Sequence, residues 1–160
     1  LVAYTSKEAH SAMEKACILA MVRCRSIQTR EENEYGLTRE DLGREILKVI
    51  ILYFFYFHNI GTTSTASSDK LFDIGPLGKK YKMWIHEDAA YAGSAWVEPR
   101  FRGSMKGMEM ADSVSISLHK LFLISPSLSP CWTRHLDQWR KAFIISPVYL
   151  PRRQGVHDLR

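Results

Sequence analysis

Apolar positions along this chain change period several times, and each change marks an element. Ala9, Ala12, Met13, Ala16, Cys17 and Ala20 recur at helical spacing. Thr5-x-x-Glu8 stands ahead of them as a capping-box pattern, so a helix is expected to open there with His10 in its first turn. Residues 22–27 alternate apolar and basic side chains, as a short strand does. A charged loop over 30–36 leads to Thr38-x-x-Asp41, a second cap, with Leu42, Ile46 and Val49 along one helical face.

The most apolar segment is 49–57, nine consecutive apolar residues rich in β-branched and aromatic types. It suits a strand buried on both faces of a parallel sheet and falls short of the about 20 residues that span a bilayer. Gly61-Thr62-Thr63-Ser64-Thr65 follows as a turn or ligand loop, with a helix cap near Ser68. A helix from about Asp69 would carry Leu71, Phe72 and Ile74 and loosen at Gly75-Pro76. Residues 83–88 form the next expected strand, whose period of two sets Trp84, His86 and Asp88 on one side. Beyond Pro99 the chain loops until 113–118, where Ser113, Ser115 and Ser117 alternate with Val114, Ile116 and Leu118 and run into His119-Lys120. An apolar run (121–124), a Ser/Pro-rich turn (125–130) and one more strand start at Cys131-Trp132 follow. Residues 142–145 precede a Pro-bounded mobile loop near 146–151, and 152–160 make a basic tail. There is no internal repeat. Strands alternating with helices point to an α/β fold with a mostly parallel sheet and flanking helices.

Composition narrows the partners. With 46% hydrophobic and 24% charged residues, the chain has the make-up of a globular domain, neither disordered nor membrane-embedded. The net charge of +5 is spread along the sequence, so no nucleic-acid partner is expected. Cys17, Cys24 and Cys131 show no Cys-x-x-Cys spacing and fit reduced thiols in a cytoplasmic protein, with no metal site. The chain opens on Leu1 without Met or a signal peptide, and a fragment is expected.

Candidate chemistry centres on Asp88. A carboxylate at the carboxyl end of a buried strand sits where open α/β sheets bind ligands, although an Asp there can equally cap the next turn. Pyridoxal phosphate needs a lysine for its Schiff base and an acidic partner for its pyridine nitrogen. An aromatic side chain on one ring face and a small residue on the other complete the slot. Lys120, Asp88, His10 and Ala90 are candidates for those four roles. His86-x-Asp88 with His119 also imitates a two-histidine, one-carboxylate iron triad, which the helical caps argue against.

Several motifs in order resemble the group II pyridoxal-phosphate decarboxylases, nearest to the aromatic-L-amino-acid and histidine decarboxylases. They are Leu1-Val-Ala-Tyr-Thr-Ser through His10, Gly61-Thr62-Thr63, His86-x-Asp88-Ala-Ala-Tyr-Ala-Gly93, and Ala111-Asp112-Ser113 through His119-Lys120. The resemblance implies the aspartate aminotransferase-type fold (fold type I), a homodimer, and pyridoxal 5'-phosphate as cofactor. This chain would supply the central part of the large domain, 1–151. It implies Lys120 as the Schiff-base lysine, Asp88 on the pyridine nitrogen, His10 stacked on the ring and Ala90 against the other face. Thr63 would lie near cofactor and substrate, and His119 close to the phosphate. Tyr149 would be the mobile-loop tyrosine that protonates the product in the neighbouring subunit's site. Relatives that make aldehydes tend to replace the stacking His or the loop Tyr, and both are kept here.

The chain also departs from the pattern. Ser117-Leu118-His119-Lys120-Leu121 replaces Asn-Pro-His-Lys-Trp, and the shorter Ser117 is expected to weaken a phosphate contact. Ile50-Ile51-Leu52-Tyr53 stands for a Gly-Leu-x-Pro turn, and Pro126-Ser127-Leu128 for a segment with Phe-Asp-Cys. His86-Glu87-Asp88 replaces His-Val-Asp and puts a charge on the strand's opposite face. The family's phosphate cup and small domain are not seen, so these 160 residues alone are expected neither to turn over substrate nor to hold the cofactor tightly. The expected activity is decarboxylation of an aromatic L-amino acid or histidine, the alternative being an inactive structural or regulatory remnant.

Overall fold

The computed structural model describes residues 1–48 and 53–144. Its frame is a six-stranded sheet in the order β2-β1-β3-β4-β5-β6. The strands are β1 (Val2–Ser6), β2 (Arg23–Ile27), β3 (Tyr53–Asn59), β4 (Trp84–Asp88), β5 (Ser113–Ser115) and β6 (Cys131–Thr133). All neighbours are parallel except β5 and β6. The helices are α1 (Ala12–Leu19), α2 (Arg39–Leu47), α3 (Leu71–Lys80) and α4 (Leu136–Phe143). The mostly parallel sheet with flanking helices is the expected α/β architecture.

Period two divides the sheet into unlike faces. Val2, Tyr4, Tyr56 and Ile85 turn to one side and join Leu42 and Ile46 of α2 and Leu71 and Ile74 of α3 in the main core. Ala3, Phe55 and Phe57 turn to the other side, against Met13 and Cys17 of α1. Gly78 lets α3 lie close to the sheet, since a Cβ there would fall 2.8 Å from Ile85 Cδ1.

Several expectations are corrected. Thr5 opens no helix: residues 2–6 form the fully buried β1, and Thr5 Oγ1 donates to the Phe57 carbonyl at 3.2 Å. Pairing with a strand on each side outweighs a local capping box, worth about 1 kcal/mol. The helix begins instead at Ala12, whose N–H donates to His10 Nδ1 at 3.1 Å, so His10 precedes the helix. Asp69 also stays outside its helix, its carboxylate turned inward to accept from Leu37 N–H, Asn59 N–H and Tyr56 Oη. Pro76 does not loosen α3, which runs on to Lys80 because Ile74, Gly75 and Gly78 are buried on either side of it. The strand expected over 113–118 ends at Ser115, where its pairing with β4 stops at Asp88, and Leu121 to Ile124 are exposed rather than core. Residues 49–52, the first part of the long apolar segment, lie outside the described residues, as do 145–160.

Candidate active site

Strand order decides where a ligand can sit. From β1 the chain crosses to β2 on one side, while β3, β4 and β5 extend on the other. Parallel sheets of this order bind ligands outside the carboxyl ends at the switch point, here between β1 and β3. The segment after β1 carries His10, and the loop after β3 carries Gly61, Thr62 and Thr63. Asp88 and Ala90 follow from β4, and Ser117 and Lys120 from the turn after β5. These segments line one cavity of about 300 Å³, joined by Ala12, Asn59 and Tyr91. Three larger hollows, of about 470, 640 and 360 Å³, lie along residues 32–40, at the start of α3 and beside β5 and β6, and none is lined by these groups.

Each segment is held by named contacts. The Asp88 carbonyl accepts from Ile60 N–H at 2.9 Å, and Asp88 Oδ1 accepts from Ala90 N–H at 3.0 Å. Asp88 therefore caps its own turn through one oxygen while lining the cavity, so the two readings of this residue hold together. Gly61 turns the chain with φ +76°, and a Cβ on it would lie 2.8 Å from the Ala92 Cβ. Thr62 is buried, its hydroxyl sharing hydrogen bonds with Thr65 (3.0 Å) and Ser67 (2.8 Å), which stiffens the loop and leaves Thr63 exposed at the cavity. Asn59 Nδ2 donates to Asp69 Oδ2 at 3.1 Å.

Lys120 N–H donates to the Ser117 carbonyl at 3.1 Å, closing a turn that brings Ser117 and Lys120 to the same side. His119 falls outside the cavity lining, and its Nδ1 lies 3.3 Å from the Leu128 carbonyl. The Ser117 hydroxyl is engaged by Ser129 at 2.9 Å. His86 faces β5, with Nδ1 2.7 Å from Ser113 Oγ and Nε2 3.2 Å from Ser115 Oγ. Burial holds its ring below the ordinary histidine value against the pull of Asp88. With His86 and His119 so engaged, the iron-triad groups do not converge, and no cluster of three metal-binding side chains occurs among the described residues. Tyr149 lies outside the described residues. Thr62 belongs to the ligand loop expected after β3, whereas Asn59 is a cavity group that sequence patterns missed, because only the β3–β4 register sets it beside Asp88.

The family described as the pyridoxal-dependent decarboxylase conserved domain matches residues 1–159. The chain belongs to that family. It is 38% identical over 160 residues to the aromatic-L-amino-acid decarboxylase of Drosophila simulans, covering 100% of this chain and 30% of that protein. It is 35% identical over 165 residues to the phenylacetaldehyde synthase of Arabidopsis thaliana, covering 99% and 34%. The structure of Oryza sativa TDC with PLP and tryptamine superposes with a TM-score of 0.89 at 30% identity, covering 94% of this chain and 32% of that one. The chain thus spans about a third of the length of the relatives it matches. Its fold is that of the fold type I pyridoxal enzymes, and the cofactor of the decarboxylase family is pyridoxal phosphate. The cavity suits such a group, offering a primary amine, a carboxylate, an imidazole and a methyl wall within one hollow.

Proposed function

We propose that this chain forms the cofactor-bearing centre of a decarboxylase that converts an aromatic L-amino acid (DOPA, tyrosine or 5-hydroxytryptophan) or histidine to its amine and carbon dioxide. The observation that carries this is the convergence of Lys120, Asp88, His10 and Ala90, from four separate segments, on one cavity. Pyridoxal phosphate, when bound, supplies the electron sink for the bond broken at the substrate's α-carbon. Lys120 provides the amine that holds it. Asp88, with Oδ1 already fixed by Ala90 N–H, keeps a proton on the pyridine nitrogen through its other oxygen. His10 and Ala90 cover the two ring faces, orient the ring and exclude water. Thr63 offers a hydroxyl toward the substrate side, while Ser117 serves the phosphate end. Tyr149 delivers the proton to the α-carbon once carbon dioxide has left, across a homodimer interface.

Exposed apolar side chains follow Lys120 in the chain, among them Leu121, Phe122, Leu123, Trp132 and Phe143, and support a second copy as their cover. The free thiols of Cys17, Cys24 and Cys131 support a cytoplasmic setting. Retention of His10 and Tyr149 favours the amine over the aldehyde made by a relative of the phenylacetaldehyde synthase kind.

The test, on a full-length parent protein that contains this chain, is release of labelled carbon dioxide from carboxyl-labelled aromatic amino acids and histidine, with the product identified as amine or aldehyde. Amine in step with carbon dioxide is expected. Asp88→Ala should lower the rate by about a hundredfold or more, as loss of a preorganised charge partner does. Bound cofactor without carbon dioxide release would favour the inactive remnant, and near-normal turnover in Asp88→Ala would remove Asp88 from its role.

A further inference from the structure

The charge at Glu87, where the family pattern has Val, has a partner on the neighbouring strand. Glu87 of β4 and His58 of β3 stand opposite each other in the parallel register, and both side chains are 0% exposed. His58 Nδ1 lies 2.6 Å from Glu87 Oε2, so the imidazole and the carboxyl group are each other's buried polar partner. Burial works against a charged ring here, yet Glu87, with Asp69 beyond it, lifts His58 above its ordinary value. The pair lies on the inner face beside Tyr56, whose ring meets His58 edge-on at 5.9 Å. Buried ion pairs seldom stabilise more than apolar pairs of similar volume, and fixing register is their best-attested use.

Register is what this point of the fold requires. The next step of the same ladder pairs Asn59 with Asp88, and both line the cavity. β4 ends in two adjacent carboxylates, and a slip of one residue would exchange their faces, turning Glu87 to the cavity and Asp88 inward. Met83 and Ile85 already turn to the core on the inner face, so the pair adds to a hydrophobic register at the end of β4, where two carboxylates stand side by side. His58 on the inner face, facing Glu87 alone, does separate the two carboxylates. We propose that the His58–Glu87 pair is a register lock that assigns Asp88, and not Glu87, to the cavity. It is a positioning pair that acts through Asp88. Its consequence for cofactor binding rests on the function proposed above, while its geometry does not.

Carbodiimide labelling of carboxylates with a small amine, mapped by mass spectrometry on the full chain without cofactor, reads the register directly. In the wild type Asp88 should label and Glu87 should not. In His58→Leu, Glu87 should gain label, Asp88 should lose it, and the melting temperature should fall. The double variant His58→Leu/Glu87→Val replaces the pair with apolar side chains of similar volume and should restore Asp88 labelling and most of the lost melting temperature. Wild-type labelling in folded His58→Leu would overturn the lock. If His58→Leu does not fold, the double variant decides, since failure to recover there also overturns it. A wild-type chain that labels as expected yet binds no pyridoxal phosphate would count against the cofactor site and leave the lock standing.

Discussion

Asn59, Gly61 and Asp88 show how few contacts set the cavity's shape. Asp69, buried off the start of α3, holds both the backbone N–H and the side chain of Asn59, so one carboxylate fixes the end of β3. Gly61 then makes a turn that L side chains rarely adopt, against a neighbour that leaves no room for a methyl group. Gly61→Ala should cost about 1–3 kcal/mol from backbone strain and the contact with Ala92, read as a lowered denaturation midpoint at unchanged slope. An unchanged midpoint would mean that the loop relaxes freely. Asp88, Lys120, His10, Ala90, Thr63 and Ser117 were legible as cavity residues because they stand in motifs at strand ends. His119 was not placed by the same logic, since the turn after Ser117 carries every side chain to a definite side and a linear motif does not record which.

Asp112 ties several elements together. Its Oδ2 accepts from Ile85 N–H of β4 at 2.9 Å, and its Oδ1 meets Lys79 of α3 at 2.8 Å and His135, at the start of α4, at 3.0 Å. Burial pushes this carboxyl up, but the Ile85 N–H, Lys79 and His135 outweigh it and hold it below its ordinary 3.8. A carboxyl lowered on folding stabilises fully above its unfolded value and loses that contribution as pH falls through the folded one. Asp112→Asn should therefore lower stability by about 2 kcal/mol at neutral pH. The difference from wild type should shrink as pH drops below 3.8, which parallel melts across pH would show. A difference independent of pH would assign the effect to packing. Element boundaries were the least legible level. β1 hid behind a capping-box pattern because its pairing comes from β2 and β3, distant in sequence. α4 is marked in the sequence only by Leu136, Trp139 and Phe143 at helical spacing, a pattern too short to stand out without a cap.

At the scale of the whole molecule, strand order explains why residues scattered from 10 to 120 meet at all. Four parallel strands deliver their following segments to one end of the sheet, and the crossover between β1 and β3 opens the crevice there. Alternation of strands and helices made this architecture legible, whereas the reversed direction of β6 left no mark in the pattern. The most direct measurement is to mix the protein with pyridoxal phosphate, reduce with borohydride, digest, and locate the pyridoxyl group by mass spectrometry. Convergence of the four segments on a cofactor cavity requires the group on Lys120, and its loss from that peptide in Lys120→Arg, whose guanidinium stays protonated. Pyridoxyl carried by another lysine, or scattered over surface lysines with Lys120 bare, would contradict it.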